Sequence, residues 1–538
     1  MTSASETIPR ASLLHEDPLI HRRRWFLLGI MCLSLVMVVM SVAGLNVALP
    51  SIQRELGASA SDLQWIVDAY ALLFAALLLT GGALGDRFGR KGALLVGMAS
   101  FAGGSLVGGL ATGAGQLIVG RAITGVGAAL VMPATLSMLT TIFPPEERRR
   151  AIAMWAGFAG AGAALGPIVS GALLQGFWWG SAVLVNIPVV LGVIVAVWVF
   201  APTSRDPEIT PLDPAGAGLS LVGLGSLIYG IIEGPARGWS DPTVLVAFAL
   251  AIAGLGAFIA WERRSAHPML PLGMFRDRRL SVGSSVITAG FFVMFGLFFL
   301  FTLYLQFVRG YSPLRAGLAT LPLAVALVAF APRSAAAAER FGSGSVMAFG
   351  FALIATGLAV LTAVGPHTPY VVLALALALL GSGMSFTVAP ATGSIMSAVP
   401  PGKAGVGSAL NDTTREVGGA LGIAIFGSAS SALYRSAIDV RSLDLPPTAA
   451  QAAGESIGGA NALADHLPNG ADLSARAGDA FSHAFNLVAG GGVVLALVAA
   501  ALVVMRYGRE AEMAAVAADD ADEELVEFPV LPAPVGSA

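Results

Sequence analysis

Fourteen stretches of this chain are each about as long as a bilayer is thick and almost without charge. They run roughly over residues 25–49, 62–84, 93–111, 115–139, 150–175, 181–201, 213–233, 243–262, 280–308, 315–337, 344–364, 369–396, 404–434 and 483–506. About 20 apolar residues in a helix cross the hydrocarbon, and helices apolar all round need lipid or a very large core. Only 12% of the 538 residues are charged, where soluble domains carry about 25%. The fold class is therefore an all-α polytopic membrane protein. Its 66 glycines suit helices that pack closely through small side chains. The single Cys32 permits no intrachain disulfide. Arginines 22–24 precede an apolar run too long for a signal-peptide core.

Lysine and arginine positions set the orientation. With the N-terminus in the cytoplasm, cytoplasmic segments hold twenty-one of these residues and the opposite face seven, while Arg121 and Arg415 fall inside spans. That bias follows the positive-inside rule, and an even number of spans leaves both termini cytoplasmic. Residues 1–24 read as a polar, disordered cytoplasmic tail and 507–538 as a disordered acidic one. The stretch 436–482 reads as a solvated external loop.

A weak repeat orders the spans. Asp86-Arg87-Phe88-Gly89 after span 2 is echoed by Glu339-Arg340-Phe341-Gly342 after span 10, and Phe143-Pro144-Pro145 after span 4 by Val399-Pro400-Pro401 after span 12. The offset of eight implies two six-helix halves, 25–201 and 280–506, flanking two inserted helices within 202–279. Transporters are built from such repeats, with the substrate site between them.

Five segments carry chemistry. The loop Gly82-Ala83-Leu84-Gly85-Asp86-Arg87-Phe88-Gly89-Arg90-Lys91 is too charged to sit in hydrocarbon and turns at the membrane surface. Asp68 lies about 9 Å inside span 2 at the helical rise. An intramembrane carboxylate normally faces a cavity or partner, so Asp68 reads as a proton carrier or a contact for a cation, or else as an acid reaching water at the span's end. Arg121 in span 4 cannot be neutralised and lies at similar depth. The two are expected to communicate directly or through water, as a coupled or a static pair. Span 5 carries Gly162, Gly166, Pro167 and Gly171, a proline kink among small residues. Span 13 carries Asp412, Arg415 and Glu416, the first two placed to pair at i,i+3. These three charges form either a functional site or a network tying helices together. Asn46, Tyr70, Phe295, Phe299 and Tyr304 are candidates for a substrate cavity, although the aromatic stripe in span 9 is as well suited to lipid.

These segments resemble the motifs of the major facilitator superfamily, in family order. The loop resembles the G-x-x-x-D-R-x-G-R-K signature between helices 2 and 3. Span 4 resembles R-x-x-Q-G-x-G-A-A, with Thr124 in place of Gln. Span 5 resembles the antiporter motif G-x-x-x-G-P-x-x-G-G, with Ser170 in place of one Gly. Span 1 resembles the L-D-x-T-I-V-N-V-A-L-P segment of the 14-span drug/proton antiporter branch (EmrB/QacA type), with Ser41 in place of Asp. In span 13, Glu416 replaces a neutral residue. The resemblance implies a proton-coupled exporter of a small organic compound working by alternating access. Within it, Asp68, Arg121, Asp412, Arg415 and Glu416 are the coupling candidates. Gly82, Asp86, Arg87, Gly89, Arg90 and Lys91 form a conformational latch in which Asp86 faces the start of span 13. The expected setting is a bacterial cytoplasmic membrane. The partners are lipid, protons and the exported compound, with no nucleic acid, no cofactor beyond the proton gradient and no second copy. A facilitator or importer and a non-transporting sensor are the alternatives. An embedded enzyme finds no HExxH, Cys/His cluster or nucleotide loop to work with.

Overall fold

The computed structural model describes residues 17–204, 212–399, 404–439, 445–464, 466–468 and 470–526. Helices appear where the apolar runs place them: α1 Pro18–Leu56, α2 Ala60–Phe88, α3 Arg90–Gly109, α4 Ala114–Ile142, α5 Pro145–Leu173, α6 Ser181–Leu184, α7 Asn186–Phe200, α8 Pro214–Arg237, α9 Pro242–Arg264 and α10 Arg278–Leu303. They continue as α11 Pro313–Ala319, α12 Leu321–Phe341, α13 Ser343–Leu361, α14 Tyr370–Ala398, α15 Ala404–Ala437, α16 Pro447–Glu455, α17 Ile457–Ala464 and α18 Gly470–Val526. Among the described residues, thirteen crossings are long and apolar enough for a membrane, taking α6–α7, α11–α12, and α10 with its terminal π-turn each as one. The apolar part described in α5, Gly160–Leu173, is shorter.

Local chemistry starts these helices. Asp17, Asp213 and Asp241 each cap a helix whose first residue is proline, joining a side-chain acceptor to a residue already set at helical φ. Ser59 and Asp62 form a reciprocal capping box on α2. The repeat is visible at two helix junctions. Gly89 (φ 114°) separates α2 from α3 and Gly342 (φ 81°) separates α12 from α13. The preceding arginine lies over the preceding phenylalanine at both, 5.3 Å for Arg87–Phe88 and 5.2 Å for Arg340–Phe341. Only glycine adopts such positive φ cheaply.

Packing forms two apolar cores. One is built from α1–α5 and α7, where α1 lies on α5 and α4 on both α2 and α3. The other is built from α10 and α12–α15 with α18. The second core also takes in Leu45, Ala48, Ile52, Leu63 and Ile66, all at the end of the molecule where α1 stops and α2 starts, called here the far end. The α8–α9 pair rests on α2 and α15.

The α3–α4 contact depends on missing side chains. A Cβ on Gly104 would fall 2.7 Å from both the Gly120 carbonyl oxygen and the Thr124 nitrogen. Overpacking typically costs about 1–3 kcal/mol, and backbone cannot yield as a side chain can. Gly104→Leu is therefore expected to lower the melting temperature of the purified protein by several degrees and to reduce its yield; an unchanged melting curve would contradict this packing.

Three expectations are corrected. Residues 18–24 are helical, because the Asp17 cap and Pro18 start α1 before the apolar run begins. The acidic tail is not wholly without structure, since α18 continues unbroken to Val526. The stretch 436–482 is not a plain loop: it holds α16 and α17, and α18 already begins at Gly470.

Candidate functional site

The charged segment expected as a loop is helical up to Phe88 and again from Arg90, with Gly89 alone between, and it folds back on its own half. Asp86 Oδ1 accepts from Arg90 Nε at 3.0 Å and from Ser137 Oγ of α4 at 3.2 Å. Lys91 Nζ donates to the Trp198 carbonyl at 2.8 Å, and the Arg90 backbone N–H to that of Ser204 at 2.9 Å. Gly82 faces the Pro133 ring of α4. Asp86 is thus held by α3 and α4. The expected partner, the start of span 13 (α15), opens at Ala404, directly after residues 400–403, which lie outside the described residues.

Deeper in the same half, α1, α2 and α4 converge on Arg121. The guanidinium is 2% exposed. Nε donates to the Ile66 carbonyl at 3.1 Å, Nη1 donates to Ser41 Oγ at 3.3 Å, and the Tyr70 ring centroid lies 4.4 Å from Cζ. Gly125 permits this arrangement, because a Cβ there would fall 2.5 Å from the Tyr70 carbonyl oxygen. Thr124, at the position where the family motif has Gln, turns its hydroxyl back to the Arg121 carbonyl.

Asp68 does not pair with Arg121, contrary to expectation. It is fully buried and neither carboxylate oxygen has a partner. Residues two apart leave a helix about 200° apart, so with Tyr70 turned to Arg121, Asp68 points to the other side of α2. It lies one turn from Gln64, which meets α15 at Ser428. Its full burial also removes the reading of Asp68 as an acid that reaches water. Asn46 of α1 is buried too; its amide donates to the Val42 carbonyl while Oδ1 is unpartnered.

In the other half Arg415 sits between two acids, as the i,i+3 spacing suggests. Its Nη2 lies 3.5 Å from Asp412 Oδ1 and its Nε 3.4 Å from Glu416 Oε1. The cation lies 5.6 Å from the Phe291 ring centroid and reaches Met132 Sδ of α4 at 3.7 Å. Asn411 accepts from Thr392 of α14 at 3.0 Å. The side chains of Arg415 and Asp412 keep 22% and 13% exposure, so this triad borders an opening.

The aromatic candidates divide. Phe295 packs edge-on against Phe291 beside the triad's helix, with its ring at Gly419. Phe299 lines a far-end cavity with Gln53, Gln64 and Tyr434. Tyr304 is not a cavity residue: it is fully buried, stacked on Phe485 at 5.3 Å, and its hydroxyl donates to the Gly365 carbonyl at 2.6 Å.

The halves meet at the far end. On α5, Gly162 and Gly166 lie against the α1 backbone, where a Cβ on Gly166 would come 2.7 Å from the Met40 carbonyl oxygen. Gly171 instead meets α11 of the other half, and a Cβ there would come 2.7 Å from Leu314 Cα. Pro167 belongs to the same seam, facing Gly317. Gln306 Nε2 donates to the Val47 carbonyl at 2.9 Å, and Ser428 Oγ to Gln64 Oε1 at 3.2 Å. Over this seam, Gln53 Nε2 donates to Ser456 Oγ beside α17 at 3.0 Å, and the Tyr434 hydroxyl to the Ala453 carbonyl of α16 at 2.9 Å. Sequence reasoning missed Gln64, Gln306 and Ser428. Two glutamines inside membrane runs were the available signal, since such groups need partners away from lipid.

The Major Facilitator Superfamily profile matches residues 31–423. The multidrug efflux pump LfrA of Mycolicibacterium smegmatis is 36% identical over 500 residues, covering 90% of this chain and 97% of that protein. The tetracenomycin C resistance and export protein of Streptomyces glaucescens is 34% identical, covering 75% and 76%. The methyl viologen resistance protein SmvA of Salmonella typhimurium is 32% identical, covering 88% and 97%. Among solved structures, a bacterial homologue of the human lysosomal transporter Spinster, in an inward-facing and unoccupied conformation, aligns with TM-score 0.62 at 18% identity, covering 91% of this chain and 97% of that one. The POT family transporter PepTSo aligns with TM-score 0.61 at 17% identity, covering 91% and 98%.

Proposed function

The chain belongs to the Major Facilitator Superfamily, and on that premise we propose that it is an efflux transporter that exports small organic compounds in exchange for protons. Export follows from full-length relatives named as efflux pumps and resistance proteins. Proton coupling rests on one observation: Asp68 is sealed in the core with both oxygens unpartnered, an arrangement that favours a carboxyl able to take up and release a proton. Glu416 and Asp412 are the other candidate acids, on the other half.

In this reading α5 completes fourteen spans, arranged as two six-helix bundles with α8 and α9 inserted between them. Both termini face the cytoplasm of a bacterial cell. The far end is then external, its seam is closed, and the chain is inward-facing. Opening the seam and engaging Asp86 with α15 are the two halves of one rocking motion. The protein is a transporter rather than an enzyme.

Everted vesicles holding a preset pH gradient test this. Ethidium, methyl viologen or puromycin is expected to dissipate the gradient in vesicles containing the protein and not in vesicles lacking it. A gradient that never responds while labelled compound still equilibrates would replace the antiporter with a facilitator.

A further inference from the structure

Arg121 is a permanent cation inside a candidate membrane span and, among the described residues, has no acid within ion-pair distance. A buried charge left uncompensated is strongly unfavourable, and a guanidinium cannot escape by losing its proton. Its contacts are a carbonyl, a hydroxyl and an aromatic face. None of the ion pairs among the described residues includes it, the acids of those within the membrane core being Asp412 and Glu416. Its Nη2 is buried and unpartnered, and so is the hydroxyl of Tyr70, the residue stacked against it. Two donors are unused at one place, one of them charged.

Asp68, which presents two unused acceptors, leaves α2 on the opposite side. The first half therefore separates an acceptor site from a donor site across one helix. Water satisfies a donor but leaves the charge uncompensated; an anion does both.

We propose that Arg121 and Tyr70 form a binding site for the carboxylate or other acidic group of an exported compound, a reading that rests on the export function above. Arg121 Nη2 donates to the anion as a charge-assisted hydrogen bond, and the Tyr70 hydroxyl supplies the second donor. Arg415, whose side chain keeps 22% exposure, reaches Met132 of α4, the helix that carries Arg121. Ser41 leaves the charge uncompensated. Its short neutral side chain contacts Nη1 at 3.3 Å, where an aspartate would satisfy the guanidinium from within.

The test uses the full-length protein in nanodiscs. The probes are 1-pyrenebutyrate and its uncharged amide, read by energy transfer from the protein's tryptophans. The intact chain is expected to bind the acid at least about ten-fold more tightly than the amide, as one charge-assisted bond implies. Arg121→Gln removes the receptor and Ser41→Asp fills it internally, so both are expected to abolish the preference, while Ser41→Ala keeps it. Equal binding of acid and amide by the intact chain overturns the proposal, as does a preference that survives both Arg121→Gln and Ser41→Asp. Ethidium export by the intact chain separates the two readings. Export without acid preference sinks the anion site alone, and acid preference without export sinks the export function alone.

Discussion

Asp68→Asn is expected to reduce compound-driven proton movement to the level of vesicles lacking the protein, while the folded protein becomes no less stable. Asparagine keeps the shape of aspartate but cannot carry a proton at any accessible pH. The carboxylate is fully buried with both oxygens unpartnered, so folding gains nothing from its charge. Removing a charge that lacks a partner relieves a desolvation cost instead of breaking a bond. The two readouts are expected to diverge, with proton flux lost and the melting temperature unchanged or raised. Arg415 gives the contrast. It pairs with Asp412 and Glu416, so neutralising it strands the buried Glu416 and the part-exposed Asp412 and is expected to lower the melting temperature. If Asp68→Asn retains half of the intact coupling, the carrier lies among Glu416 and Asp412, and Asp68 has a structural role only.

Gly171→Val is expected to hold the far end open and to cut export at least about ten-fold. The reason lies in what the glycine faces. A Cβ at this position would fall 2.7 Å from Leu314 Cα and 2.8 Å from the Pro313 carbonyl oxygen, both backbone atoms of the other half. A penalty of about 1–3 kcal/mol levied on one of two states shifts their ratio roughly 5–150-fold. In the proposed rocking motion only the state with the seam closed makes this contact, so the variant is expected to fold but to populate the other state. Ser428→Cys reports the shift. Its native hydroxyl bonds to Gln64 and to the Ile231 carbonyl within the seam, and the native Cys32 is buried. An impermeant maleimide is expected to label Ser428→Cys from outside only when Gly171→Val is also present. Normal export with no labelling would mean that this seam is not a gate.

The sequence was most legible where one physical requirement governs. Membrane-length apolar runs became helices, and the Phe-Gly junctions of the repeat adopted matching turns at Gly89 and Gly342. The i,i+3 spacing of Asp412 and Arg415 became an ion pair. Depth was legible for Asp68 and Arg121, but direction was not. Equal depth on neighbouring helices suggests a pair, whereas helix rotation decides it, and rotation here is set by Gly125 admitting the Tyr70 backbone. The far-end seam was the least legible part. Gln64 meets Ser428 across 364 residues of chain, and nothing near either residue announces the other. The Ala- and Gly-rich stretch before α18 hid α16 and α17 for a similar reason, since its helices are held by Gln53 and Tyr434 more than by their own composition.

The bond from Gln53 to Ser456 joins residues 403 positions apart, and that separation is also an interval of time. At about 5–20 residues per second, Gln53 leaves the ribosome roughly 20–80 s before the serine that will receive its hydrogen bond. Throughout that interval the earliest helices are in place without their lid. A chain halted before α16 would contain the motifs of its first half and much of its second, yet would never have been shut at this end. These two late helices therefore act as a progress mark: only a polypeptide grown past them can close the seam that its opening segments began.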